Sequence, residues 1–292
     1  MASERQIKGR IKASRNISQI TQAMQMVAAS KMRRAQTAAI SGRPYAQKIA
    51  EMVSLLVSRI DPSKHPLLRQ SITGKTLIVL VSTNKGLLGG LNANLFKSLS
   101  KWFNDEMLSQ SVFVTLGKKG EQLLLRTNRT LVADFSDTTP FTQSIPALTT
   151  FITEGFLKGE FKEVYVVFSN FLTALSQEPT KRKILPISEF TNELEQAKDT
   201  TQPEKKPLEF VIEPSIDMIL DSLLFHYLEN QIRDALFEAE ASEHSARMIA
   251  MKNATDNAKE LIDILTLEYN KARQAKITSE IADIVTARMA VK

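Results

Sequence analysis

Residues 215–292 read SIDMILDSLLFHYLENQIRDALFEAEASEHSARMIAMKNATDNAKELIDILTLEYNKARQAKITSEIADIVTARMAVK, with no glycine and no proline anywhere in the run. Glu213-Pro214-Ser215 ahead of it is a helix start, since proline at the first helical position has no amide hydrogen to leave unsatisfied. Fully helical, the run is a rod of roughly 115 Å at about 1.5 Å per residue. No compact domain of a 292-residue chain has an interior that long. The rod needs a partner, and the other end of the chain supplies a candidate.

From residue 3 to residue 41 the only glycine is Gly9, and there is no proline. Ile7, Ile11, Ser14, Ile17, Thr21, Met24, Ala28, Met32, Ala35 and Ala39 recur at threes and fours, which predicts one buried helical face. Ser14, Thr21 and Lys31 fall on or near that seam, so it is no plain leucine zipper. Gly42 and Pro44 are expected to interrupt the helix, with a second segment (Ile49, Met52, Val53, Leu56, Ile60) running to Pro62. The long tail opens with Ile216, Leu220, Leu223 and Tyr227 on one face. Ala235, Ala239, Ser242 and Ala246 follow, then Leu261, Leu265 and Tyr269. Small residues on both helices predict a close antiparallel pair.

Charge supports the pairing. Residues 1–60 carry eleven Lys/Arg against two acids, whereas residues 215–292 carry nine bases against thirteen acids. A basic amphipathic arm fits nucleic acid or a membrane surface as well as an acidic protein surface. The absence of any aromatic residue before Tyr45 disfavours base stacking. A coiled-coil nucleic-acid binder stays open as an alternative.

Between Pro62 and Pro214 the pattern changes to alternating strands and helices. Strands are expected at Thr76–Val81, Ser111–Leu116, Leu131–Phe135 and Glu163–Phe168, and helices at Leu91–Met107, Gly120–Arg126 and Ile145–Phe156. Asn170 marks a turn, and the stretch to Ile187 returns as a strand carrying Lys181-Arg182-Lys183. Residues 188–206 read as a polar, proline-flanked loop. The alternation predicts a mostly parallel α/β domain. Inserted between two terminal helices, it predicts a stalk on a globular foot: residues 1–61 and 214–292 form the shaft and residues 62–213 the foot.

The turn Ser82-Thr83-Asn84-Lys85-Gly86-Leu87-Leu88-Gly89-Gly90-Leu91-Asn92 joins a strand to a helix, where phosphate-binding loops occur. Its glycines follow GxxGG rather than GxGxxG, and no GK[ST] opens the helix. A tight turn with close packing is the plainer reading, and a nucleotide-binding α/β enzyme the alternative. The chain has no cysteine, which excludes disulfides, thiolate metal sites and thiol nucleophiles. Its three histidines are scattered without a ligand spacing, so no metal and no cofactor is expected. No apolar run is long enough to span a bilayer. The basic N-terminus (Arg5, Lys8, Arg10, Lys12, Arg15) continues as an amphipathic helix rather than into an apolar signal core.

These local readings coincide with one family. Ile20-Thr21-Gln22-Ala23-Met24-Gln25-Met26-Val27-Ala28-Ala29-Ser30-Lys31-Met32-Arg33-Arg34-Ala35 and Ser41-Gly42-Arg43-Pro44-Tyr45-Ala46 resemble the first helix of the F-type ATP synthase gamma-subunit family. The glycine turn is similar to that family's strand-to-helix turn. Residues 246–258 (ARMIAMKNATDNA) and 269–281 (YNKARQAKITSEI) are similar to its C-terminal helix.

The resemblance implies long N- and C-terminal helices forming an antiparallel coiled coil, with an inserted Rossmann-like α/β domain. It implies a non-catalytic central-stalk rotor that couples ion-driven rotation of the membrane c-ring to the catalytic sites of the beta subunits, reversibly. The implied partners are three alpha and three beta subunits, the epsilon subunit and the c-ring, with no nucleic acid and only indirect membrane contact. By position, Met24, Arg247, Arg273, Gln274 and Thr278 become candidates for contact with beta-subunit loops. A guanidinium pairs readily with acidic loop residues, and an intramolecular or solvated pair is the plain alternative for each. The implied location is the cytoplasmic face of a bacterial plasma membrane, with the mitochondrial matrix side as the alternative. Residues 285–292 (VTARMAVK) lack the family's glycine and small-residue ending.

Overall fold

A computed structural model of the chain describes residues 4–57, 65–69, 73–187 and 216–290. The expected loop at 188–206 and the Pro214 helix start lie outside the described residues. The chain divides into two compact units: residues 1–30 with 247–292, and residues 31–246.

The second unit holds a five-stranded sheet. Its strands are β1 (Lys75–Val81), β2 (Val112–Leu116), β3 (Thr130–Asp134), β4 (Phe161–Phe171) and β5 (Gln177–Leu185), in the order β3-β2-β1-β4-β5. The first four run parallel, and β5 returns antiparallel on β4. Parallel strands need crossovers, and these cover both faces of the sheet. That explains why Leu77–Val81 is a continuous apolar run rather than an alternating one.

Leu77, Val79 and Val81 join one core with Val114, Leu148, Ile152 and Phe168, on the face covered by α5 (Ile145–Leu157). Ile78 and Leu80 join the other with Phe113, Leu95, Leu99, Phe103 and Leu124. This second core packs against α2 (Leu91–Trp102), α3 (Asp105–Gln110) and α4 (Lys118–Arg126).

Two long helices bracket this domain in sequence: α1 (Glu4–Val57) and α6 (Ile216–Ala290). Ile49, Val53 and Val57 of α1 meet Leu220, Leu224, Leu228 and Ile232 of α6 in the first core. Farther along α6, Ser242 Oγ donates to the Ser169 carbonyl (2.8 Å) and Ser245 Oγ to the Ala174 carbonyl (2.6 Å). Both serine hydroxyls are thus engaged by the β4–β5 hairpin. Arg182 Nη1 binds Asp234 Oδ2 at 2.8 Å, and the Phe171 amide donates to Glu238 Oε2 at 3.3 Å.

Two expectations change. Gly42 and Pro44 do not break α1, which runs through both as one helix of 54 residues. Pro44 forfeits one backbone hydrogen bond, to the Ile40 carbonyl. Both Ile40 and Pro44 are exposed, so water can take that carbonyl. Asn170 is no turn either: it pairs with Glu178, and Phe171 with Gln177, inside the β4–β5 ladder. The reversal comes at residues 172–176, where the Leu172 amide bonds the Ser176 carbonyl.

Candidate functional site

In the first unit the two long helices form a two-stranded antiparallel pair. On α1 the positions Ile7, Ile11, Ser14, Ser18, Thr21, Gln25 and Ala28 alternate at spacings of four and three. Each is buried or half-buried. On α6 the same alternation links Met251, Thr255, Ala258, Ile262, Leu265, Tyr269 and Ala272, again buried or half-buried. This is a strict heptad seam. Thr21 Oγ1 lies 2.7 Å from Thr255 Oγ1, and the Tyr269 hydroxyl donates to Glu4 Oε1 at 3.0 Å. Together these contacts fix an antiparallel register. Lys276 Nζ sits 3.8 Å from Glu4 Oε2, with the acid on the basic helix and the base on the acidic one.

The seam differs from the expected face in its phase. Ser18 and Gln25 occupy the positions assigned to Ile17 and Met24. Ile17 is 52% exposed, Ile20 59% and Val27 57%, with Met24 half-buried. Ile17, Ile20, Met24 and Val27 stand at intervals of three, four and three. They make a second apolar stripe, turned outward. The intramolecular seam is thus the more polar face of α1 in this stretch, and the outer face the more apolar. Leu261, Ile264 and Leu267 of α6 are exposed as well.

The five candidate residues fall at two levels. Met24 and Arg247 lie on the same side of the Thr21–Thr255 contact, and both are half-buried. Arg273, Gln274 and Thr278 lie on α6 about 39 Å of helix beyond Arg247. All three are exposed, as is every residue from Arg273 to Met289. Thr278 Oγ1 donates to the Gln274 carbonyl at 2.9 Å, so its hydroxyl hydrogen is held by its own helix. Ile277, Ile281, Ile284 and Val285 are exposed along the same stretch. Sequence reasoning missed Ile17, Ile20 and Val27 as outward-facing residues. The signal was present, since the strict heptad through Ile7, Ser14, Thr21 and Ala28 excludes all three.

The glycine turn is stitched to itself. Asn92 Nδ2 donates to Thr83 Oγ1 (2.7 Å), Thr83 Oγ1 to the Lys85 carbonyl (3.0 Å) and Asn84 Nδ2 to the Ser136 carbonyl (2.9 Å). Asn84 Oδ1 accepts the Lys118 amide, and Ser82 Oγ accepts the Gly120 amide at 2.7 Å. The tight approach lies at Gly117 rather than at the turn's own glycines. With φ +106°, a Cβ on Gly117 would sit 2.4 Å from the Ser82 carbonyl oxygen, whereas one on Gly86 would meet nothing within 4 Å. The side chains best placed to greet a phosphate are therefore engaged in closing the ends of β1 and β2. Among the described residues no three His, Cys, Asp or Glu side chains gather as a metal site, and no helix is long and apolar enough to cross a membrane.

A family profile described as ATP synthase matches residues 3–291. The chain is 42% identical over 297 aligned positions to the ATP synthase gamma chain of Opitutus terrae, covering 99% of each. It is 41% identical to that of Akkermansia muciniphila, covering the whole of both. Among solved structures it resembles a chain of the Euglena gracilis mitochondrial ATP synthase in an OSCP/F1/c-ring assembly (TM-score 0.68, 18% identity, 99% of this chain and 94% of that one). It also resembles a chain of the Tetrahymena thermophila mitochondrial central stalk and c-ring (TM-score 0.56, 24% identity, 80% of this chain and 99% of that one). At these identities the structural likeness is one of fold.

Proposed function

Since the chain belongs to the ATP synthase gamma-chain family, we propose that it is the central-stalk rotor of an F-type ATP synthase, carrying torque and no catalytic group. Residues 1–61 and 214–292 are the shaft, and residues 62–213 the foot. The shaft turns within three alpha and three beta subunits, while the foot, with the epsilon subunit, rides on the c-ring. The chain sits at the membrane through that ring alone, on the cytoplasmic face in a bacterium. The bacterial relatives favour this over a mitochondrial matrix.

The observation that carries this reading is the outward apolar stripe of Ile17, Ile20, Met24 and Val27 beside a polar seam. A free two-helix pair would place those residues inside. Their outward position fits a sleeve of other subunits. Met24 and Arg247 serve beta-subunit loops at one level, and Arg273, Gln274 and Thr278 at another.

Rotation matters because the stripe occupies one side of the pair only. Each orientation offers it to a different beta subunit and biases that subunit toward one of its conformations. Moving a two-state equilibrium from 1:99 to 99:1 takes about 5.5 kcal/mol of differential binding. Burial of one large aliphatic side chain contributes about 1.5–3 kcal/mol, so three or four such residues are sufficient. Coupling of this kind is reciprocal, so ATP hydrolysis turns the shaft backwards.

The test is reconstitution. Alpha and beta subunits mixed with this chain should hydrolyse ATP steadily, and the chain alone should not. Equal hydrolysis by alpha and beta subunits without it would refute the coupling role.

A further inference from the structure

The seam of the helical pair alternates by four and three on both helices, which defines its two flanks as well. Because the helices run in opposite directions, the residues just before Ser18 and Gln25 on α1 share one flank with those just before Thr255 and Ile262 on α6. That flank holds Ile17, Met24 and Leu261, with Ile20 and Ile264 beside it. It is the apolar stripe, extended onto α6. The residues just after Ile7, Ser14, Met251 and Ala258 form the opposite flank. They are Lys8, Arg15, Lys252 and Lys259, with Lys12 beside them, and all five are exposed.

Coiled coils ordinarily set opposite charges across such a flank. Here Arg15 lies six residues from Thr21 and Lys259 four from Thr255, on the same side of that contact. The two cations therefore stand within about 3 Å of the same height along the pair. Asp256 and Asp263 are the acids of this flank, so it keeps a surplus of positive charge. None of the five cations forms an ion pair among the described residues. Like charges set across a seam are a cost to the free pair.

We propose that this basic flank is a second docking face of the shaft, fitted to acidic side chains of the alpha and beta subunits around it, on the side opposite the apolar stripe. The proposal rests on the rotor reading and extends it. The shaft offers its surroundings two chemistries at once, apolar on one side and cationic on the other. Acidic partners offset the repulsion between Arg15 and Lys259, and exposed charges of this kind speed and orient association more than they tighten it. The flank carries no aromatic side chain on which a base could stack, which favours a protein surface over single-stranded nucleic acid.

The test uses the full-length chain with alpha and beta subunits. In Arg15→Gln/Lys259→Gln the free chain should have a urea midpoint no lower than the parent's, because a repulsion is removed. Its association with the alpha and beta subunits should slow about tenfold at low salt, and the decline of that rate with rising salt should flatten. Arg15→Lys/Lys259→Arg keeps both charges and should associate like the parent. Equal rates and equal salt dependence in the glutamine variant overturn the proposal. So does a midpoint that falls along with the rate, which would mark the two cations as structural. Tighter binding of the parent to duplex DNA or to phosphatidylglycerol vesicles than to alpha and beta subunits, at about 0.15 M salt, overturns it in favour of those partners. A parent chain that never joins the alpha and beta subunits defeats the rotor reading and the proposal together, so the two failures are told apart.

Discussion

The Tyr269 hydroxyl donates a 3.0 Å hydrogen bond to the Glu4 carboxylate, joining residues 265 positions apart. That bond is the main reason the phenol is held above tyrosine's usual titration range. Partial burial and the Glu4 charge add to it, and the nearby Arg273 cation opposes it. The neutral phenol is thus the form the fold favours. Its contribution is complete below tyrosine's ordinary range and is lost as pH rises through the folded-state value. Amide exchange over the first turns of α1 should quicken in that alkaline window and already be fast at neutral pH in Tyr269→Phe. Equal protection in both proteins at neutral pH would count against the clamp.

Glu238 provides a second pH dependence, of the same sense but from a carboxyl rather than a phenol. Burial lifts its carboxyl above the usual range, and Asp234 one turn away adds to this. The Phe171 amide, Arg43 at 3.8 Å and Arg182 pull it back. Here the protonated form is favoured in the fold, so its stabilisation is present at low pH and lost as pH rises through the folded-state value. Glu238→Gln should melt higher than the parent at pH 7, with the two curves converging in acid. A variant that melts lower at pH 7 would mean the Arg43 pairing outweighs desolvation.

Gly117→Ala places a methyl group against the Ser82 carbonyl in a backbone region that side chains avoid. The cost should be about 2–4 kcal/mol, read from a urea midpoint. Gly86→Ala, with open space around it, should be neutral or slightly stabilising.

Pro44→Ala returns an amide to the middle of α1. It should stabilise the chain by about 1–3 kcal/mol, visible as a higher urea midpoint with an unchanged slope. An unchanged midpoint would mean the helix has already absorbed the proline at no cost.

Ile20→Asp and Ser18→Asp separate the two faces of α1. The first alters an exposed position and should leave stability within about 0.5 kcal/mol while lowering ATP hydrolysis in the reconstituted mixture. The second buries a charge in the seam and should cost about 2–4 kcal/mol. The reverse ranking of stabilities would invert the phase of the seam.

The sheet was readable in the sequence because buried parallel strands are short, continuous, partly β-branched apolar runs, and Thr76–Val81 is one. The long helices were readable from what they lack. Their contacts were less so, for a definable reason. A search for apolar residues at threes and fours selects Ile17 and Met24, since it assumes that the buried face is the most apolar one. On α1 that assumption fails where the chain keeps its apolar side chains outside, so it selects Ile17 and Met24 in place of the seam residues Ser18 and Gln25. Pro44 misled because local propensity was weighed without knowing that water reaches the Ile40 carbonyl. Asn170 misled because an antiparallel partner overrode its turn preference. Arg273, Gln274 and Thr278 carry no local signature at all. Nothing in an exposed stretch of helix says which side chains another subunit would touch.

The seam contact between Thr21 and Thr255 spans 234 positions, which bears on the order in which the chain assembles. Closing a flexible loop of that length costs about 5 kcal/mol in chain entropy beyond a constant, far more than one hydroxyl pair returns. Once Val53 and Leu224 share a core, the loop to be closed contracts to the two helical segments beyond them. The cost then falls by roughly 1 kcal/mol on length alone, since each doubling contributes about 0.6 kcal/mol. Stiff helices already growing from that core lower it further, because the ends no longer search at random. The sheet domain therefore acts as the nucleus from which the two helices zip together, and the pairing nearest Glu4 and Tyr269 is the last to form and the first to open.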